Sequence, residues 1–213
     1  MEPVKITFFM RTPISLAFPW MSLDSLVVHV LLQERLGDNY YTLPSKTPSN
    51  IVDDVIGEVP LKRWRDLFVA SVSLIDGEPS VFHYYKRGDF PFPRGKISRG
   101  RGFFKDFMLK AVYIPARTVT FYATGEAEEL RRLLNLVPAL GKETNIGFGW
   151  VKRVVVEETD EEYGLVKDGL AMRPIPVEYV KHYEDSAPLA YKPPYWAREN
   201  VRTCVVPFTQ VKL

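Results

Sequence analysis

Hydrophobic residues near the start of the chain recur at every second position. Val4, Ile6, Phe8 and Met10 alternate with the residues between them over 4–11. A period of two places successive side chains on opposite faces of an extended chain. The pattern therefore predicts a β-strand at 4–11.

Helical spacing occurs in two places. Over 23–37 apolar residues return every three or four positions. Ser22 is placed to cap the start of this helix, and Gly37 is placed to end it. Residues 126–137, which follow Gly125, carry acids in the first turn and arginines further along, as the helix dipole favours. We therefore predict two helices.

Three further segments have strand character. Residues 67–75 are largely apolar, and 150–158 are rich in β-branched side chains. Residues 108–124 form a strand pair or a bent strand, because Pro115 interrupts the pattern near its middle. The polar, proline-containing stretch 38–65 is predicted to be a long connection.

In chain order these elements read β-α-β-insertion-β-α-β. This order predicts an α+β fold with a ferredoxin-like, RRM-like βαββαβ core, in which two helices back four antiparallel strands. Residues 1–166 would form that domain, with 84–107 as a basic insertion between strands two and three. The proline-rich tail 167–213 has little periodicity, and we expect it to pack on the core because its aromatic residues are costly to expose.

Composition places the chain among ordinary globular proteins. Its 213 residues are 46% hydrophobic and 25% charged, which is enough to bury a core without disulfides. The single cysteine, Cys204, lies in an apolar run and is interpreted as a packing residue. The N-terminal segment does not resemble a signal peptide, and no apolar run approaches the roughly 18 residues of a membrane span. A cytoplasmic location is the expectation.

The net charge of +2 conceals a basic segment and an acidic one. Between Tyr84 and Lys110 only Asp89 and Asp106 oppose eight basic residues, whereas 157–162 holds five acids in six positions. The eight basic residues are Lys86, Arg87, Arg94, Lys96, Arg99, Arg101, Lys105 and Lys110. Clustering of this kind indicates a polyanionic partner for the basic segment.

Aromatic residues are interleaved with these cations. Aromatic rings offer stacking faces to bases, and cations neutralise phosphates, so the mixture suits single-stranded RNA. The alternative is a solvated charged hairpin whose aromatic residues pack on the core, an interpretation favoured for Phe103 and Phe104. The aromatic residues of the segment are Tyr84, Tyr85, Phe90, Phe92, Phe103 and Phe104.

The stretch GKETNIGFGW at 141–150 is rich in glycine. A Walker loop would follow a strand and open a helix, with the lysine after the last glycine, but Lys142 stands at the other end and a strand follows. A dinucleotide fingerprint fails for the same reason. A structural interpretation remains, in which Gly141 ends a helix while Gly147 and Gly149 permit positive φ or close backbone approach.

These motifs together resemble a known group of proteins. A glycine-rich loop with a Gly-Lys start and a Gly-aromatic-Gly end, placed before the last strand, is similar to that of the RAMP superfamily of CRISPR-associated proteins. Within it, the chain resembles the Csf subunit three family of type IV CRISPR effector complexes, the Cas-five-like subunit, over nearly its whole length. The further matching motifs are Leu23-Asp24-Ser25-Leu26, Ile114-Pro115-Ala116, Pro193-Pro194-Tyr195-Trp196 and Cys204-Val-Val-Pro207.

The resemblance implies a non-catalytic, cofactor-free subunit that holds the 5′ handle of crRNA and caps the backbone filament. It also implies a thumb-like hairpin between strands two and three, the position of the basic insertion 84–107. Its partners would be crRNA and the backbone and large subunits, with target DNA near the PAM as a further candidate and no membrane. The candidate RNA-binding residues are Lys86, Arg87, Phe90, Phe92, Arg94, Lys96, Arg99 and Arg101 in the basic segment, and Lys142, Thr144, Asn145, Gly147 and Gly149 in the glycine loop.

Two other functions stay open. Some relatives cut precursor crRNA without a metal, and His83, Tyr84 and Lys86 are the candidate acid–base cluster for such an endoribonuclease. His29, within a predicted helix, is interpreted as structural, and His182 has no motif around it. The third function is that of a stand-alone RNA-binding or scaffold protein.

Overall fold

The computed structural model describes residues 1–44, 49–87, 100–101 and 105–213. These residues form a mixed α+β fold with antiparallel sheets, which confirms the predicted class. The α-helices in the described ranges are α1 (Leu23–Leu36), α2 (Ser49–Ile56) and α3 (Ala127–Leu134). The strands are β1 (Glu2–Met10), β2 (Arg63–Trp64), β3 (Leu67–Phe68), β4 (Leu74–Ile75), β5 (Ser80–Lys86), β6 (Phe107–Tyr113), β7 (Thr118–Gly125), β8 (Val151–Glu158), β9 (Val166–Lys167), β10 (Leu170–Ala171), β11 (Ile175–Pro176), β12 (His182–Tyr183), β13 (Ser186–Ala190), β14 (Val201–Val205) and β15 (Val211–Lys212).

The central sheet has four strands in the order β4-β7-β1-β8. The alternation predicted near the N-terminus decides which side of this sheet is buried. Ile6 lies opposite Phe121 on β7 and Val156 on β8, and all three side chains are buried against α1 and α3. Phe8 and Phe121 meet edge to face, 5.9 Å between ring centroids. The main core therefore lies between this sheet and the helices.

The predicted strand at 67–75 is not continuous. It divides into β3 and β4, because the serines between them draw the chain out of the ladder. The hydroxyl of Ser71 accepts the N–H of Tyr122, and the N–H of Val72 donates to the carbonyl of Met172 in the C-terminal region. Only a single bridge, Ala70 to Ala123, continues the pairing with β7 between them.

The prediction of a plain connection at 38–65 was wrong. This stretch contains a 3-10 helix, Gly37–Thr42, and α2, whose Val52 and Val55 are fully buried. Positions three apart lie on one face of a helix, and that spacing was present in the sequence. α2 packs against α1 and extends the helical layer.

β5 and β6 form an antiparallel hairpin, which we call the thumb hairpin, inserted between β4 and β7. The predicted strand pair at 108–124 is real, but β6 and β7 belong to different sheets and separate at Pro115. The sequence did not indicate β5 as a strand. Residues 88–99 and 102–104, which include most of the predicted insertion, lie outside the described residues.

The C-terminal region is more regular than its composition suggested. It contains the three-stranded sheet β11-β14-β13 and the strand pairs β9–β10 and β12–β15. His182 lies in β12, opposite Lys212 in β15. A second apolar cluster joins Tyr191 and Cys204 to Leu67. Burial raises the pKa of Cys204 to about 12, which fits the packing role predicted for it. No helix in the described part of the chain is both long and apolar enough to cross a membrane.

Candidate nucleic-acid interface

The thumb hairpin has two faces of different environment. His83 lies opposite Lys110, and Tyr84 lies opposite Leu109. Because successive side chains of a strand alternate, the hairpin has a His83 face and a Tyr84 face. The His83 face comprises Val81, His83, Tyr85, Met108, Lys110 and Val112, and the Tyr84 face comprises Phe82, Tyr84, Lys86, Phe107, Leu109 and Ala111.

The His83 face is open to solvent. Tyr85 is 77% exposed and its cross-strand partner Met108 is 71% exposed, which is far more than such side chains show when they pack on a core. Lys110 is exposed on the same face. An aromatic ring, a thioether and a cation are thus presented together, a combination able to stack a base and neutralise its phosphate.

The Tyr84 face lies against the glycine loop near Tyr113, whereas Phe82, Phe107 and Leu109 on the same face are exposed. Tyr113, at the end of β6, meets the ring of Phe148 with 6.0 Å between centroids. Partial burial and the negative charge of Glu143 raise the pKa of Tyr84. The backbones of Lys142 and Ser15 pair in an isolated antiparallel β-bridge, and the hydroxyl of Ser15 donates to the carbonyl of Val112 in β6. The two segments singled out in the sequence are therefore neighbours in the fold.

At two positions of the loop the backbone of another segment lies so close that only glycine fits. A Cβ on Gly149 would lie 1.8 Å from the carbonyl oxygen of Leu140, and one on Gly141 would lie 2.2 Å from that of Ser15. Both have positive φ, at 71° and 83°. Gly147 also has positive φ but open space around it. The structural interpretation is thereby confirmed for Gly147 and Gly149, but the prediction that Gly141 ends a helix was wrong, because α3 already ends at Leu134.

The backbone of the loop is largely engaged within the protein. The N–H of Gly147 donates to Thr144 and that of Gly149 donates to Pro13, so neither of these two N–H groups is available to RNA. Thr144 is half-buried, and its carbonyl accepts the indole N–H of Trp150 at 3.2 Å. The exposed side chains of Lys142 and Asn145 are the predicted contact groups that remain accessible.

The sequence did not single out a further set of basic residues at one end of the central sheet. The C-terminal end of β1 lies beside the first residues of β7 and β8. There the backbone N–H of Met10 donates to the carbonyl of Arg117, and the backbone N–H of Arg11 donates to the carbonyl of Trp150. We define Arg11, Arg117, Trp150, Lys152 and Arg153 as the basic sheet end. All five are exposed, and none of its four cations forms an ion pair with another described residue.

The acids segregate to the other end of this sheet. Glu2 and Glu158 lie there, next to the acidic run noted in the sequence. Because β1, β7 and β8 are antiparallel, residues distant in sequence become neighbours at each end. This is why hydrophobic patterning alone did not reveal the basic sheet end.

The predicted RNA-binding residues are only partly placed. Arg87 and Arg101 are exposed, and Lys86 is half-buried on the Tyr84 face. Five others lie outside the described residues: Phe90, Phe92, Arg94, Lys96 and Arg99. Phe103 and Phe104, predicted as packing residues, lie there too.

The acid–base cluster suggested for an endoribonuclease is divided by strand alternation. His83 lies on one face of the thumb hairpin, while Tyr84 and Lys86 lie on the other. His29 is bonded through Nδ1 to the hydroxyl of Tyr40 at 2.6 Å, and burial lowers its pKa. Among the residues that the structure describes, no group of three or more His, Cys, Asp or Glu is arranged to hold a metal ion.

The chain was compared with known families and structures. Residues 83–207 match the family model described as CRISPR type IV associated protein Csf3. No curated protein matches the chain. One matching structure is a chain of "Cryo-EM structure of the Type III-B Cmr-beta bound to cognate target RNA", with 9% identity and a TM-score of 0.42. The match covers 74% of this chain and 61% of that one.

Proposed function

Because this chain belongs to the Csf3 family of CRISPR type IV associated proteins, we propose that it is a crRNA-binding subunit of a type IV effector complex. The matched residues include most of the thumb hairpin, the glycine loop and the Pro-Pro-Tyr-Trp motif. The resemblance drawn from the last two of these is confirmed at the level of the family. In this proposal the four-stranded sheet and its helices are a ferredoxin-like RAMP core. The subunit recognises the 5′ handle and caps the backbone filament without catalysis of its own.

The observation that carries the proposal is the convergence of three surfaces. The thumb hairpin contacts the glycine loop through Tyr113 and Phe148, and that loop ends at Trp150 in the basic sheet end. The hairpin that carries the exposed ring of Tyr85 and the sheet end that carries cations without carboxylate partners among the described residues are thus joined through the glycine loop. Nucleic acid is the ligand class that uses both stacking and phosphate neutralisation.

Single-stranded RNA fits this surface better than a duplex does. Tyr85 and Met108 stand on a narrow two-stranded hairpin, where only unpaired bases could lie flat against them. Recognition of a handle at the end of a guide requires such unpaired bases. The neighbouring backbone and large subunits would then meet the chain on surfaces flanking the bound RNA.

Copurification tests the proposed function. Expressed with the other subunits and a CRISPR array, the tagged chain should recover them together with one discrete guide RNA. Recovery of the chain alone, free of RNA at moderate salt, would contradict it and favour a stand-alone protein.

Replacement of one exposed ring tests the proposed surface itself. Tyr85→Ala should weaken guide binding by ~1–3 kcal/mol, because it removes a stacking face without disturbing the core. Tyr41→Ala is the matched control, since Tyr41 is 79% exposed but lies outside the thumb hairpin and the basic sheet end. Equal affinities for the two variants would exclude the His83 face from the RNA site.

A further inference from the structure

The turn between β2 and β3 contains an arginine, Arg65, with an unusual backbone conformation. Arg65 has φ of +56°, a left-handed conformation that favours glycine and that costs other residues roughly 1 kcal/mol or more. Backbone strain of this kind is concentrated at functional sites. The conformation therefore prompts the question of what the side chain does.

Two aromatic rings hold the guanidinium of Arg65. Its Cζ lies 5.0 Å from the centroid of the Trp64 ring and 4.4 Å from that of Tyr179. The two rings are themselves in edge-to-face contact, 5.9 Å apart. A planar cation fixed in this way keeps its hydrogen-bond donors in one orientation.

The donors of this guanidinium are not taken up by a carboxylate. The adjacent carboxylate of Asp66 already accepts bonds from Tyr179, Tyr191 and Lys192, at 2.7–2.9 Å. Within the described ranges Arg65 forms no ion pair, although it is exposed. The guanidinium can therefore bind an external anion. Its planar pair of N–H donors matches the geometry of a phosphate group.

A cavity lies beside the same tryptophan. It has a volume of about 270 Å³ and is lined by Trp64, Val69, Leu165 and Val166, with an ion pair at its polar side. In that pair Nζ of Lys62 lies 2.9 Å from the carboxylate of Glu162. Lys62 and Glu162 bond each other, and Glu162 also accepts the hydroxyl of Thr124, but an ammonium has further N–H groups and a carboxylate further lone pairs. Apolar walls beside such a pair are suited to a planar ring that has hydrogen-bonding edges, such as a nucleobase.

We propose that Arg65, Trp64 and this cavity bind one unpaired nucleotide of a single-stranded nucleic acid, with its phosphate on the guanidinium and its base in the cavity. The site is separate from the proposed guide-handle surface. The N–H of Lys62 donates to Thr124 near the end of β7, whereas the basic sheet end lies at the start of that strand, about 20 Å away at 3.3 Å per residue.

The nucleotide could come from the guide RNA or from a displaced DNA strand. Ultraviolet crosslinking of the full-length chain to single-stranded RNA and DNA octamers, followed by peptide mapping, separates the two sources. We expect crosslinks at Trp64 or Tyr179 with at least one of the octamers and none with a DNA duplex. Crosslinks confined to the thumb hairpin would overturn this proposal while leaving the proposed function intact. Crosslinks at Trp64 alone would support this proposal and contradict the guide-binding surface of the proposed function.

Three substitutions complete the test. Arg65→Gln should lower the crosslink yield at Trp64 roughly tenfold, because a charge-assisted contact is lost. Arg63→Gln is the matched control: Arg63 is exposed on the same β-hairpin but stacks on Phe68 and donates to the carbonyl of Ile56. Arg65→Gly should lower the yield as much while keeping or raising thermal stability, since glycine relieves the positive φ.

Equal losses in the Arg63 and Arg65 variants would overturn the proposal, because they would reflect general charge. So would an unchanged crosslink yield accompanied by loss of another subunit from the assembled complex. That result would identify the Trp64–Arg65–Tyr179 surface as a protein contact.

Discussion

Asp24 and Arg173 form an ion pair in the interior, with 3.1 Å between Oδ2 and Nη2, and 1% or less of either side chain is exposed. In the sequence Asp24 stood out only as part of the motif Leu23-Asp24-Ser25-Leu26. Its carboxylate also accepts the hydroxyl of Tyr195, at 2.7 Å. Arg173 donates further to the carbonyls of Phe68 and Ala70. One network thus ties α1 and the segment after β3 to the Pro-Pro-Tyr-Trp motif.

Breaking this pair from one side should be costly. Asp24→Asn or Arg173→Met should each reduce the free energy of unfolding by about 3–5 kcal/mol, because the partner is left buried and uncompensated. Denaturant titration measures the change. Arg202→Gln, which breaks the exposed pair with Glu178, is the control and should have a far smaller effect. Similar losses for all three variants would contradict the role assigned to the buried pair.

The glycines of the loop should differ in their tolerance of a methyl group. Gly149→Ala should destabilise more than Gly147→Ala, because the first creates a clash with Leu140 and the second adds only the cost of positive φ, about 1–2 kcal/mol. Gly57→Ala is the control, because Gly57 has open space around it and no positive φ. Thermal unfolding ranks the three, and equal shifts at 147 and 149 would refute the close-approach explanation.

Acid should weaken the anchoring of the C-terminal region at Asp66. Burial alone would raise its pKa, but hydrogen bonds from Tyr191, Lys192 and Tyr179 outweigh this effect and lower the pKa to about 2. A lowered carboxyl pKa contributes stability above the unfolded value near 4, and that contribution is lost as the pH falls towards 2. Stability measured across pH 2–5 should therefore fall less steeply in Asp66→Asn than in the wild type. Identical slopes would show that these bonds do not favour the ionised form.

The basic sheet end should contribute phosphate contacts. Arg11→Gln with Arg117→Gln should weaken guide binding and reduce the slope of log affinity against log salt by about 2, since two contacts are removed. Arg35→Gln with Arg198→Gln removes the same charge from other elements and should leave the slope unchanged. The measurement is a titration of guide RNA at several salt concentrations, and parallel slopes for both double variants would exclude this surface.

The endoribonuclease alternative has its own test. His83→Ala should leave any cleavage of repeat RNA unchanged, because strand alternation directs His83 away from Tyr84 and Lys86. The assay compares the purified wild-type and variant chains on a labelled repeat. Cleavage by the wild type that disappears in the variant would establish the nuclease and contradict a purely binding role.

Local patterns in the sequence determined the elements whose signals are repeated many times. β1, α1, α3 and β8 were predicted within three residues at each end, because periodicity fixes which face of an element is apolar. The glycine loop was also identified correctly as a connector, since neighbouring elements set its context. Phosphate-loop functions could be excluded on that order alone.

Tertiary structure decided what lies next to what. The pairing of Asp24 with Arg173, the contact of the thumb hairpin with the glycine loop, and the basic sheet end all join residues far apart in the chain. The division of 67–75 depended on a carbonyl of Met172, about a hundred residues later. Hydrophobic periodicity reports only the direction in which a side chain faces, whereas the identity of its neighbour depends on how the antiparallel strands align and where the chain returns.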